Sequence, residues 1–279
     1  MIGSKALDPG SRPLDALRCH WPEYFVEAAG LCIYMMSACL FTTLLEYRGS
    51  VVGNTIADPM LRRAFIGLAM GMTFVSLIYS PWGARSGAHF NPAVTLIFYR
   101  LGKMAPWDAA FYVGAHFLGG LTGVLLIRAA LGQAFGLPPV NSAVTVPGPG
   151  GPWVAFAAEF VISLTLMVIV LYTSNKVSLM RYTGLFSGLL VALYITFETP
   201  LSGMSMNPAR TLATALPSGL QQGLWLYFLA PPLGMLLAVE IHRLITGRSE
   251  VLCGKLNHLT HHRCIFRHCA FRRPSKSTV

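Results

Sequence analysis

Two stretches of this chain carry one polar signature. Residues 86–95 read Ser-Gly-Ala-His-Phe-Asn-Pro-Ala-Val-Thr, and residues 202–211 read Ser-Gly-Met-Ser-Met-Asn-Pro-Ala-Arg-Thr. Ser86, Gly87, Asn91, Pro92, Ala93 and Thr95 recur at a constant offset of 116 as Ser202, Gly203, Asn207, Pro208, Ala209 and Thr211. Asparagine is a favoured helix N-cap, and proline at the first helical position gives up an N–H that has no intrahelical partner. Each copy therefore reads as an extended loop entering an Asn-capped, Pro-initiated helix. A helix N-terminus carries about half a positive charge. Two of them facing each other, each with an Asn amide able to donate, disfavour cations and protons and accept a neutral hydrogen-bonding molecule. The loop residues before each Asn, including Gly87, Ala88 and His89 in one copy and Gly203 and Ser205 in the other, offer successive backbone carbonyls to the same molecule. Arg210, one turn into the second helix, adds a fixed positive charge.

Other residues suggest different chemistry. Cys253, His258, His261, His262, Cys264, His268 and Cys269 fall within 17 residues. Such groups bind zinc or copper, although the spacing matches no finger pattern. The competing reading is a basic segment lying on anionic lipid with Cys and His incidental. Glu27 and Glu159 sit in apolar runs, where a charged group can carry protons, and Glu198 lies close to the outer mouth. His89 is expected beside the first loop and His116 as a satisfied core histidine. No catalytic dyad or phosphate loop is present, so no enzyme is expected, and no cofactor apart from a metal in the tail.

The elements that position these groups belong in a bilayer. Of 279 residues, 54% are hydrophobic and 11% charged, with mean hydropathy +0.55, whereas a soluble domain carries about a quarter charged residues. The formal charge of +10 sits largely after residue 242, where it marks a cytoplasmic side rather than nucleic-acid binding. The first 21 residues lack the apolar run of a cleaved leader. A span needs about 20 apolar residues, and six stretches suffice: about 24–45, 62–80, 106–128, 153–173, 182–199 and 222–242. The segments after each Asn, about 92–100 and 208–216, would each be about 14 Å long, half a membrane apiece. Three spans per copy make the halves inverted repeats whose loops meet near the midplane.

The expected organisation is an N-terminal segment 1–21, a channel domain 22–246 (repeats 22–130 and 153–246) and a basic tail 247–279. Lys5, Arg12, Arg18, Arg100, Lys103, Lys176, Arg181 and the tail would share the cytoplasmic side, with Arg48, Arg62 and Arg63 as exceptions outside. The Gly/Pro-rich stretch 136–152 reads as an exposed loop. Gly30, Gly114, Gly119, Gly120, Gly123 and Gly188 read as close-packing sites. A bacterial inner membrane is the expected location.

The paired Asn-Pro-Ala segments, the Ser-Gly-Ala-His lead, Glu27, Glu159 and the Arg after the second Ala resemble the aquaporin (major intrinsic protein) family over about residues 22–246. The resemblance implies an all-α membrane protein of six spans plus two re-entrant half-helices. It implies one pore per subunit, a homotetramer, and a bilayer, water and small neutral solutes as partners. In that family the two Asn side chains orient the permeant, the carboxylates matched by Glu27 and Glu159 accept hydrogen bonds from loop backbone, and the Arg belongs to an outer constriction. Carried over by motif, the other constriction members are Met204, Ile195 and Met70, with Gly71 as the alternative by ungapped count. Strict water channels place an aromatic and a histidine there; three apolar residues imply a wider, less polar gate. Glycerol-conducting members carry Asp after the Arg, where this chain has Thr211. The expected function is a water channel that also passes small neutral solutes such as glycerol, urea or ammonia. The alternatives are a facilitator mainly for those solutes, a transporter coupled through Glu27, Glu159 or Glu198, and a metal-responsive channel, transporter or enzyme built on the tail with His89 and His116 as further ligands.

Overall fold

The structure, a computed structural model, describes residues 9–247, 251–258 and 262–271. Its long helices are α1 (Pro13–Glu46), α2 (Pro59–Tyr79), α3 (Pro92–Arg100), α4 (Pro106–Leu131), α5 (Gly151–Ser174), α6 (Thr183–Phe197), α7 (Pro208–Ser218) and α8 (Leu224–Thr246). No strand occurs among the described residues. Proline opens α1, α2, α3, α4 and α7 at its first position. There its fixed φ suits a helix start and its missing N–H costs nothing. Asp58 caps α2 by accepting from the Met60 N–H at 2.7 Å. Gly219, with φ of 72°, stops α7 in a left-handed conformation that a side chain would strain.

Six helices, α1, α2, α4, α5, α6 (with the turn before it) and α8, are long and apolar enough to cross a membrane. Large side chains such as Phe25, Leu68, Leu118, Val161, Leu189 and Leu229 stay exposed on their outer faces, as a lipid solvent requires. The helices α3 and α7 are too short to span and follow the second and fifth crossings. The pairing obeys the duplication. The helix α1 packs most extensively on α4, α5 packs equally on α8, and α2 packs on α6 across the repeats. Each half-helix also lies on the closing span of the other repeat, α3 on α8 and α7 on α4.

Several expectations need correction. The helix α1 begins at Pro13 rather than near residue 24, because the polar first turns (Leu-Asp-Ala-Leu-Arg) are helical although not apolar. The 136–152 connection is not an exposed loop throughout: Val140, Ser142, Ala143 and Thr145 are buried, and the Gly148 N–H donates to the Leu201 carbonyl at 2.9 Å. Gly119 and Gly123 do bring α4 onto the α1 backbone, since a Cβ on them would lie 2.0 Å from the Ala28 oxygen and 2.5 Å from that of Cys32. Gly114 has nothing within 4 Å of such a Cβ and serves no contact within the subunit.

This contrast makes a test. Gly119→Ala is expected to push α4 off α1 and destabilise by about 1–3 kcal/mol, the usual cost of overpacking. Gly114→Ala should be neutral or slightly stabilising through helix propensity. Thermal unfolding of both variants in detergent checks it; equal midpoints would show that the α1–α4 contact is looser than described.

Candidate functional site

The two loops that enter the half-helices share one strained backbone. Gly87, Ala88 and Phe90 have φ of 108°, 59° and 46°; Gly203, Met204 and Met206 have 81°, 51° and 54°. Left-handed conformations cost about 1–2 kcal/mol for a residue with a Cβ, so these loops must be held. Two buried carboxylates hold them. Glu27 of α1 accepts from the His89 and Phe90 N–H groups at 3.1 and 2.7 Å. Glu159 of α5 accepts from Ser205 and Met206 at 2.6 and 2.7 Å. Each has a side-chain partner as well: His116 Nε2 lies 2.8 Å from Glu27, and the Ser202 hydroxyl 2.7 Å from Glu159. The loops are fixed again by a pair that the sequence reading missed. Tyr112 donates to the Ser86 carbonyl at 2.7 Å and Tyr227 to that of Ser202 at 2.5 Å. Their offset of 115 nearly equals that of the loops, which was the available signal.

The asparagines join the two halves. Asn91 Oδ1 accepts from the Ala93 N–H at 2.8 Å, and Asn207 Oδ1 from Ala209 and Arg210 at 3.0 and 3.2 Å, so each caps its own half-helix. Each amide nitrogen donates to the other loop: Asn91 to the Met206 carbonyl at 2.7 Å and Asn207 to the Phe90 carbonyl at 2.8 Å. An amide NH2 carries two hydrogens, and these bonds use one per Asn. Thr95 lies 2.9 Å from His89 Nδ1, and Thr211 lies 2.5 Å from the Ser205 hydroxyl, bracing the same two corners.

Two cavities meet at these loops. The wider, about 280 Å³, is lined by Met70, Ile195, Met204, Arg210, Glu46, Arg63, Val140 and Ala143 among others. The narrower, about 50 Å³, is lined by Asn91, Asn207, His89, Phe74, Val191 and Leu256 among others. Tyr34 and Ser205 line both and so mark the waist. Tyr34 went unnoticed in the sequence, although it stands two turns after Glu27 on α1. Arg210 Nη1 is buried with no partner among the described residues. Of the two alternatives for the second span, Met70 lines the wide cavity, whereas a Cβ on Gly71 would lie 2.5 Å from the Gly188 oxygen of α6. Glu198 is buried beside Glu159, 2.5 Å from the Ser202 hydroxyl. That hydroxyl has one hydrogen for two carboxyl contacts, so one of the two has to be donated by a carboxyl.

The tail corrects another expectation. Its described residues do not lie on lipid; Val251, Cys253, Lys255, Leu256, Ile265 and Phe266 are buried against the narrow end. The Leu256 N–H donates to the Gly87 carbonyl at 3.1 Å, Lys255 Nζ to the Ala84 carbonyl at 2.8 Å, and His89 Nε2 to the Gly254 carbonyl at 2.9 Å. Of the tail candidates, Cys253, His258, Cys264 and Cys269 come together, with ligand atoms all within 4.8 Å of one another. His262 and His268 are exposed, and His261 lies outside the described residues.

Compared with known proteins, residues 19–242 match the sequence profile of the major intrinsic protein family. Aquaporin NIP2-3 of Zea mays is 35% identical over 79% of this chain and 72% of its own length. The chain belongs to the major intrinsic protein family. Aquaporin NIP1-1 of Arabidopsis thaliana is 31% identical over 78% of this chain and 75% of its own length. The X-ray structure of the aquaglyceroporin from Plasmodium falciparum shares the fold, with a TM-score of 0.66 at 18% identity over 81% of this chain and 97% of that one. As a member of this family the protein is a multi-pass membrane channel and not an enzyme.

The carboxylate on each loop gives the site its test. Glu159→Gln keeps one acceptor oxygen but turns an NH2 towards a loop N–H, leaving a buried donor unpaired. The expected loss is about 1–3 kcal/mol of stability together with the channel's flux. Thermal unfolding and proteoliposome shrinkage measured on the same preparation check it, and a variant as stable and as permeable as the parent would deny Glu159 its role.

Proposed function

We propose that the protein is a passive pore for water and small uncharged solutes, with selectivity set by Met70, Ile195, Met204 and Arg210 and orientation of the permeant by Asn91 and Asn207. The observation that carries this reading is the route itself. Arg210, with an unpartnered guanidinium nitrogen, and three apolar residues line one cavity, both asparagines line the next, and Tyr34 and Ser205 belong to both. A neutral molecule crossing it meets donors from Arg210 and the two Asn amides and acceptors from the loop carbonyls. A cation meets two helix N-termini and a guanidinium in a narrow passage with little solvent to screen them. The apolar three sides around Arg210 favour passage of glycerol- or urea-sized molecules alongside water. The curated relatives bear the name aquaporin, and the structural neighbour the name aquaglyceroporin.

A coupled transporter is disfavoured because its candidate carboxylates are committed. Glu27 and Glu159 hold the loops, and Glu198 shares Ser202 with Glu159. The distribution of basic residues supports both termini on the cytoplasmic face. The relatives reported above are plant proteins and lend no support to a bacterial inner membrane. A homotetramer, implied by the family resemblance, completes the proposal.

Stopped-flow light scattering on proteoliposomes tests it, with the full chain and with Leu256→Ala. Leu256→Ala vesicles are expected to shrink under sucrose faster than empty ones, linearly with the gradient and regardless of proton or sodium gradients. They should re-swell under glycerol or urea, and Arg210→Ala added to the same chain should speed re-swelling several-fold. A folded Leu256→Ala protein that shrinks no faster than empty vesicles would overturn the reading.

A further inference from the structure

The tail combines two features that the pore does not explain: a chain segment seated in its mouth and a four-residue cluster that frames that segment. We propose that Cys253, His258, Cys264 and Cys269 form a tetrahedral site for zinc, and that zinc there holds Leu256 in the narrow mouth and closes the channel.

The geometry suits the ion before any ligand moves far. Cys253 Sγ and Cys264 Sγ are 3.5 Å apart, and Cys269 Sγ and His258 Nε2 are 3.2 Å apart. Zinc bonds of about 2.3 Å to sulfur and about 2.0–2.1 Å to nitrogen place tetrahedral ligand atoms about 3.5–3.8 Å from one another. Three thiolates and one imidazole favour zinc over hard cations.

A second observation, independent of the ligands, points to the same charge. Lys255 is buried, and its ammonium donates to the Ala84 and Arg263 carbonyls at 2.8 and 2.9 Å. No carboxylate lies within ion-pair distance of it among the described residues. A buried ammonium needs a counter-charge; the buried Glu23 carboxylate acts on it only from beyond ion-pair distance, and zinc with three thiolates would add one net negative charge beside it.

The connection to the mouth is a matter of chain order. Cys253 and His258 bracket the segment 254–257, whose backbone binds His89 and Gly87 and whose Leu256 lines the cavity of Asn91 and Asn207. Cys264 and Cys269 lie on the returning segment. That segment is anchored by Phe266 against the His89 ring, by the Arg267 N–H donating to the Lys103 carbonyl at 2.7 Å, and by Lys103 Nζ donating to the His268 carbonyl at 2.9 Å. Zinc therefore ties the plug to its anchor. By linkage, an ion that binds only the seated tail stabilises the closed mouth.

The gate rests on the channel reading above, whereas the metal site does not, so the experiment reads them separately. Full-length protein, isolated under reducing conditions and stripped with a chelator, is titrated with Zn²⁺ and with Co²⁺ as a spectroscopic probe, then reconstituted. We expect one zinc per chain and a tetrahedral thiolate Co²⁺ spectrum, both lost in Cys264→Ser and retained in Leu256→Ala. We expect chelation to speed shrinkage of parent vesicles roughly tenfold, within the usual span of site–site coupling, and to leave Leu256→Ala vesicles unchanged. Absence of stoichiometric zinc, or a Cys253–Cys264 disulfide found by mass spectrometry in protein isolated without reductant and with free thiols blocked at lysis, overturns the site. Full zinc occupancy with shrinkage indifferent to chelation, while Leu256→Ala still conducts, overturns the gate. Zinc bound and no flux from any variant overturns the gate together with the channel reading, and the site stands.

Discussion

Everything at the centre of this protein depends on two carboxylates that accept pairs of backbone N–H groups from left-handed loops. In water such loops would relax, because solvent would satisfy the freed groups in any conformation. At membrane depth an unsatisfied N–H costs several kcal/mol, so the only low-energy arrangement is the one in which Glu27 and Glu159 take them. The chain of consequence is short. The carboxylates fix the loops, the loops aim Asn91 and Asn207, and each Asn caps its own half-helix while bonding to the opposite loop. The two repeats are thus latched to each other by the groups that shape the pore.

The duplicated backbone nevertheless makes two different mouths. The second loop carries Ser205 where the first carries His89, and Met204 where the first carries Ala88. On one side this leaves a cavity of about 280 Å³ around Arg210. On the other, His89 stacks on Phe98 with ring centres 5.0 Å apart and offers its second nitrogen to the tail. Since the Gly254 carbonyl can only accept, the neutral ring keeps its hydrogen on Nε2 and takes one from Thr95 on Nδ1. Symmetry sets the scaffold, and a handful of side chains decide which end is open.

How much of this the sequence discloses follows the range of the forces involved. The half-helices were legible to within two residues at either end, because proline and asparagine caps act locally and the duplication marked them twice. Six crossings were legible because hydropathy is a property of the segment. The onset of α1 was not, since its first turns are helical without being apolar. Tyr34, Tyr112 and Tyr227 were invisible among other aromatics until packing showed which of them face the loops. Met70 could not be separated from Gly71 by counting, and was separated only by what a side chain at 71 would strike. The burial of the tail was not legible because basic composition speaks to a membrane surface, whereas Leu256, Ile265 and Phe266 answer to a pocket made by distant residues.

That pocket sets the terms on which the tail and a permeant share the pore. The Leu256 N–H occupies the Gly87 carbonyl, the outermost rung of the carbonyl series that leads to Asn91, and the Leu256 side chain occupies the space beyond it. On the channel reading proposed above, a molecule entering from this end would meet the same carbonyl and the same volume, so seating of the tail and passage of solute would compete there. A net hydrogen bond contributes about 0.5–1.5 kcal/mol and burying one leucine about 1.5–3 kcal/mol, against the chain entropy of ordering the segment. The His89 bond to the Gly254 carbonyl and the packing of Phe266 on the His89 ring add to the same side, so the seated tail is held by residues of both segments that the cluster of Cys253, His258, Cys264 and Cys269 joins.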